Sequence, residues 1–152
     1  MKRYSYTLLT PLDSASDEIT KLFVGVERVA PIEVEMKSVL PTYTPVCFSS
    51  MFTGAQPDVH GIRKYEKPVL SCDTIFDAFA RAGKKPAIVA VKNSSIDLVF
   101  RNRKIDYYSE EYDPQVEARA LKLIETDNYD FILVYHQEVQ EIPRPLKLFV
   151  DT

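Results

Sequence analysis

The residues best placed to do chemistry lie in Pro41-Thr42-Tyr43-Thr44-Pro45-Val46-Cys47-Phe48-Ser49-Ser50-Met51-Phe52-Thr53-Gly54. Thr44 followed by Pro45 is a helix-start signal: threonine suits the N-cap, and proline suits the first helical position, where an N–H would go unbonded anyway. The spacing predicts a short helix with the Thr44 hydroxyl beside the open amides of Val46 and Cys47, at the positive end of the helix dipole. An anion is stabilised there. A hydroxyl so placed becomes a nucleophile when a metal ion lowers its pKa, and the same amides then hold the charge of a phosphoryl transition state. Taken alone, a Thr-Pro helix start is most often only a cap.

Other reactive side chains are sparse. His136 and Glu138 stand at the end of an apolar run, where alternation puts both on one side; one histidine and one glutamate fall short of a hydrolytic metal site. Cys47 falls one turn into the predicted helix, where a lowered thiol pKa is the alternative to the reading adopted here, a buried helix cysteine. Cys47 and Cys72 are too few and too far apart for a disulfide framework or a zinc cluster.

Elements that alternate along the chain must position these groups. Tyr4 to Leu9 reads as a strand, Ser16 to Arg28 as a helix capped by Ser16, and Ile32 to Leu40 as a half-exposed strand of period two. After the Thr44 segment, Ala55 to Pro68 is rich in turn residues. Asp73 to Ala82 predicts a helix with Ile75, Phe76, Phe79 and Ala80 on its buried side and Gly83 at C′, followed by an apolar strand, Pro86 to Val91. Asp113-Pro114 starts another helix with Asp113 as N-cap, burying Val116, Ala120, Leu121, Leu123 and Ile124. Asp130 to Tyr135 is a continuous apolar run suited to the middle of a parallel sheet, and Gln137 to Thr152 reads as a loop with a last strand or tail at Leu146 to Val150. The expected fold is one α/β domain over residues 1–152, a mostly parallel sheet sandwiched by helices.

The two motifs Pro41-Thr42-Tyr43-Thr44…Thr53-Gly54 and Gln56-Pro57-Asp58-Val59-His60-Gly61-Ile62 together resemble the type I phosphodiesterase/nucleotide pyrophosphatase family of the alkaline phosphatase superfamily. The resemblance implies the N-terminal part of an alkaline-phosphatase-like domain, with Thr44 as nucleophile of a metal-dependent phosphodiesterase. It implies divalent metal, zinc or manganese, with Asp13 as the first ligand; read by itself, Asp13 is a turn or cap residue. The family's second ligand pair falls on Gln140 and Arg144, which do not ligate such metals, and its later ligands would lie beyond Thr152. The expectation is therefore a truncated or degenerate member with little or no turnover. The alternative is an anion- or partner-binding domain without chemistry, acting as a homodimer that covers the sheet edge. His60 in this motif is expected to be a turn residue whose ring hydrogen-bonds to backbone.

Composition narrows the partners. The chain carries 19 basic and 22 acidic residues for a net charge of −3, so no overall field recruits nucleic acid or an anionic membrane. The basic clusters Arg63-Lys64, Lys84-Lys85 and Arg101-Asn102-Arg103-Lys104 read as solvated loops. A phosphate-containing small molecule is the expected ligand. No run approaches the ~20 apolar residues of a membrane span, and Met1-Lys2-Arg3 is not followed by the pattern of a secretory signal, so the cytoplasm is the expected location.

Overall fold

A computed structural model of the protein describes residues 37–137. Contacts divide the chain into two units, Met1–Lys37 with Pro143–Thr152, and Ser38–Ile142; the elements below belong to the second. The expected strand at Tyr4 to Leu9, the helix at Ser16 to Arg28, Asp13, Glu138, Gln140, Arg144 and the tail at Leu146 to Val150 lie outside the described residues.

In chain order the elements are α1 (Thr44–Thr53), α2 (Pro57–His60), α3 (Ile75–Arg81), β1 (Pro86–Val91), α4 (Ser95–Val99), β2 (Asp106–Glu110), α5 (Asp113–Thr126) and β3 (Phe131–Tyr135). The three strands form one parallel sheet in the order β2-β1-β3. Register pairs Ile88 with Tyr107 on one side and with Leu133 on the other. An α/β fold with a parallel sheet is thus present, as the alternation of elements implies. Among the described residues no helix is long and apolar enough to cross a membrane.

Both faces of the sheet are covered. Ile88 and Ala90 of β1, with Leu133 and Tyr135 of β3, pack into one cluster with Val46, Phe52, Phe76, Ile96, Val99 and Phe100, which α1, α3, α4 and the residue after α4 supply. Ala87 and Val89 point the other way, as alternate strand residues must, and meet Val116 and Leu123 of α5 together with Tyr129. The first cluster is built on aromatic rings. Phe76 is fully buried and lies 5.3 Å from the Phe52 ring, 5.4 Å from Phe100 and 5.8 Å from Phe131.

The central strand is β1, buried along nearly its whole length, whereas β3 is only half-buried and, among the described strands, pairs with β1 alone. The run Phe-Ile-Leu-Val-Tyr is apolar because both of its faces are covered, Leu133 and Tyr135 packing into one cluster and Ile132 and Val134 into the other. Residues 37–40, the end of the expected strand Ile32 to Leu40, are not in a strand. Three elements have no counterpart in the sequence reading: the short helices α2, which falls within the turn-rich stretch Ala55 to Pro68, and α4, and the short strand β2.

Helix starts are displaced by one residue from their expected positions. Tyr43 is the N-cap of α1, since its carbonyl accepts from the Cys47 N–H at 2.9 Å, so Thr44 is the first helical residue and Pro45 the second. Tyr112 likewise precedes Asp113 at α5, where the Gln115 side chain accepts from the Glu111 and Tyr112 N–H groups and supplies the cap that Asp113 was expected to give. In α3 the cap is Thr74, reciprocally bonded with Asp77, and Ile75, the first helical residue, is exposed rather than buried. Leu121 of α5 is also exposed, being on the flank of the Val116-Ala120-Leu123 stripe. Gly83 follows α3 in the left-handed region at φ 70°, and the Lys84 N–H returns to the Phe79 carbonyl at 2.9 Å, the helix-closing geometry expected of it.

Candidate functional site

Helix α1 buries Pro45, Val46, Ser49 and Phe52, residues spaced along one helical face, and this seats its first turn against the described core. The Ser49 hydroxyl donates to the Pro45 carbonyl at 2.6 Å and the Thr53 hydroxyl to the Ser49 carbonyl at 2.7 Å, so neither is available for chemistry. Cys47 is half-buried, with its Sγ 2.9 Å from the Ser38 hydroxyl. Its N–H is committed to Tyr43. Among the described residues the amides at this helix end without an acceptor are those of Thr44 and Val46, and Pro45 has none to offer.

Thr44 lines a small pocket of about 60 Å³, open to solvent, which it shares with Tyr65, Lys67, Ser94, Ser95, Tyr135 and Gln137. The location follows from the topology. Ser94 and Ser95 follow the carboxyl end of β1, and Tyr135 and Gln137 stand at and after the carboxyl end of the adjacent β3. From β1 the chain passes to β2 on one side through α4 on one face; from β2 it returns to β3 on the other side through α5 on the opposite face. The crevice between β1 and β3 is therefore a topological switch point, the place where open parallel sheets present their ligand sites.

The described residues that line the pocket are polar, with hydroxyls, an amide and an ammonium among them. Among the described residues that line it, Lys67 is the one with a full charge and none is a carboxylate. The Lys67 ammonium donates to the Asn93 carbonyl at 2.6 Å, which uses one of its three protons and leaves two. Ser94 is occupied as the cap of α4, accepting from the Asp97 N–H at 3.1 Å. Ser95, only 4 % exposed as a residue, also lines the pocket. Burial, then the neighbouring Tyr65 and Asp113, push the Tyr135 phenol up, so it stands in the pocket wall as a neutral hydroxyl, its ring edge-on to Phe48 at 5.4 Å. Gln137 is fixed through its N–H, which donates to Asp113 at 2.8 Å.

His60 is buried, and its Nδ1 accepts from the Ile62 N–H at 3.2 Å, the backbone bond expected for it. Its Nε2 lies 2.9 Å from the Ser50 hydroxyl. That serine–histidine pair does not form a nucleophile and base. With Nδ1 accepting, the neutral ring carries its proton on Nε2 and donates to Ser50, the reverse of what serine activation requires. Desolvation lowers the His60 pKa and holds the ring neutral. Its work is to clip α2 to α1.

Among the described residues singled out from sequence as candidate site groups, Thr44 alone lines the pocket; Val46 is fully buried, and Cys47 is turned to Ser38. His136 is half-buried just past β3, and its expected partner Glu138 is outside the described residues. Arg103 is not a solvated loop residue: its guanidinium is 7 % exposed, bonded to Asp77 and to the Leu70 and Cys72 carbonyls at 2.9 and 3.0 Å. Lys67 and Ser95 escaped sequence reasoning. Among the described residues no group of three or more acidic, histidine or cysteine side chains is placed to hold a metal ion. Around Thr44 the described donors, hydroxyls and an ammonium, do not fit a zinc or manganese ion. Comparison of the chain with protein-family models, with curated proteins and with solved structures returns no match.

Proposed function

We propose that this chain is an anion-binding domain of alkaline-phosphatase-like architecture that receives the phosphate group of a small molecule at Thr44, without efficient turnover. The observation that carries this reading is the meeting of the Thr44 helix end, the Lys67 ammonium and the Ser95 hydroxyl in one pocket at the β1/β3 switch point, with no carboxylate among the described residues that line it. An ammonium supplies a charge-assisted bond, the hydroxyls donate to phosphate oxygens, and the helix end adds partial positive charge. The Thr44–Gly54 spacing and the Pro-x-x-His-Gly turn support the family reading beside it.

Hydrolysis of a phosphodiester by Thr44 needs more. The hydroxyl must lose its proton, and no described side chain at the pocket is a base; the Lys67 ammonium also repels a divalent cation. The metal-dependent reading therefore rests on Asp13, outside the described residues.

Calorimetric titration of the full chain with inorganic phosphate in the presence of a chelator tests the proposal. Binding is expected at a Kd on the order of 1 mM or tighter, about −4 kcal/mol. Thr44→Val, which keeps the shape and removes the hydroxyl, is expected to weaken it about fivefold, the worth of one hydrogen bond. No heat of binding at tens of millimolar phosphate rejects the reading. Thr44-dependent turnover of bis(p-nitrophenyl) phosphate with added zinc or manganese would replace it with the enzyme reading.

A further inference from the structure

The segment that runs from the end of β1 into α4, Lys92-Asn93-Ser94-Ser95-Ile96-Asp97, contains a buried acid that the pocket does not use. Asp97 is 4 % exposed and absent from the pocket lining. One of its carboxylate oxygens, Oδ1, receives Arg101 and the Ser109 hydroxyl, and the other, Oδ2, accepts the Asn93 N–H at 2.9 Å. Arg101 also reaches the Asp97 carbonyl at 2.6 Å. Asn93 itself is in the left-handed region, φ 62°, where asparagine is tolerated and most side chains are not. The peptides on either side of Asn93 are thus both held, the one before it by Asp97 on the Asn93 N–H, and the one after it, which carries the Asn93 carbonyl, by the Ser94 N–H donating to the Val91 carbonyl at 3.1 Å. The carbonyl so oriented is the one that takes the Lys67 ammonium at 2.6 Å, across 26 residues of sequence.

We infer that Asn93 is a positioning residue for the pocket: locked by Asp97, it presents the backbone carbonyl that aims the Lys67 ammonium at the bound anion. The inference rests on the anion-binding reading of the same pocket. A lysine stem has four rotatable bonds and samples many positions when unrestrained; a fixed acceptor removes that freedom before the ligand arrives, so less is lost on binding. The side chain of Asn93 has no part in this. What matters is its capacity for positive φ, which glycine shares without penalty.

The test is phosphate titration of the full chain in five forms: wild type, Asn93→Gly, Asn93→Val, Lys67→Met, and Lys67→Met with Asn93→Val. Valine at a left-handed position swings the peptide, and the phosphate Kd is expected to rise about fivefold or more, whereas Asn93→Gly stays within about twofold of wild type. In the Lys67→Met background valine is expected to change the Kd by less than about twofold, because no ammonium remains to be misplaced. Should Asn93→Val fail to fold, Asn93→Ala, a milder form of the same strain, is read in its place. A loss on valine substitution that persists at full size in the Lys67→Met background assigns Asn93 a general structural role and overturns the inference. Wild-type binding with indifferent Asn93 variants overturns this inference alone; a wild type with no phosphate affinity overturns the pocket reading with it.

Discussion

Replacing His60 by alanine is the perturbation whose cost follows most fully from the structure. The ring is 6 % exposed and makes two hydrogen bonds, one to the amide of Ile62, itself 1 % exposed, and one to Ser50. Alanine leaves the Ile62 N–H in the interior without an acceptor, which costs about 1–3 kcal/mol, and the half-buried Ser50 bond adds about 1 kcal/mol. The sum, roughly 2–4 kcal/mol, corresponds to a fall in Tm of roughly 6–12 °C for a chain near this size. Urea unfolding at pH 7.5 measures it. His60→Asn, whose amide oxygen can take the Ile62 N–H, is expected to recover part of the loss. The two proteins also differ in pH dependence. The folded His60 pKa lies below the ordinary 6.5, so the unfolded chain binds the proton first as pH falls. Wild type is therefore expected to lose stability from about pH 6.5 downward until the folded pKa is reached, a slope that His60→Asn lacks. A His60→Ala protein within about 0.5 kcal/mol of wild type, or parallel pH profiles for wild type and His60→Asn, would refute the clip between α1 and α2.

Phe76→Ala removes the ring about which Phe52, Phe100 and Phe131 are packed, and a loss of about 3–5 kcal/mol is expected in urea unfolding, with phosphate binding by the surviving folded fraction unchanged. Asp77→Ala strips the cap from α3 and leaves the buried Arg103 guanidinium without its acid, so a loss of about 3–5 kcal/mol is expected. Adding Arg103→Met to Asp77→Ala should recover part of that loss; a double variant less stable than Asp77→Ala alone would show that the unpaired charge was not the cause.

The central strand and the helix-ending glycine were legible because each carries a local signal. Pro86 to Val91 is an uninterrupted apolar run, and Gly83 sits where a left-handed residue closes a helix. The phenylalanine core was partly legible, through Phe76 and Phe79 at helical spacing. By contrast α4 is five residues long, too short to show a period, and β2 reads Asp-Tyr-Tyr-Ser-Glu, a composition that an edge strand accepts and a propensity argument passes over. Helix caps were misplaced by one residue because the sequence argument assumes that the cap supplies its own oxygen, whereas at α5 Gln115 does so from within the helix. The pocket shows the same division. Thr44 stands in a recognisable pattern, but Lys67 acquires its role only from Asn93, and Ser95 only from its burial at the end of β1, both products of the fold. Such a site is assembled by long-range packing, of which a single sequence carries no local trace.

The most direct test of the account is a crystal of the full chain soaked in tungstate, a tetrahedral oxyanion visible by anomalous scattering. The ion is expected at the β1/β3 crevice, within about 3 Å of the Lys67 ammonium and of a Thr44 or Ser95 donor. A crevice without the ion, while tungstate is bound elsewhere on the same molecule, would contradict it.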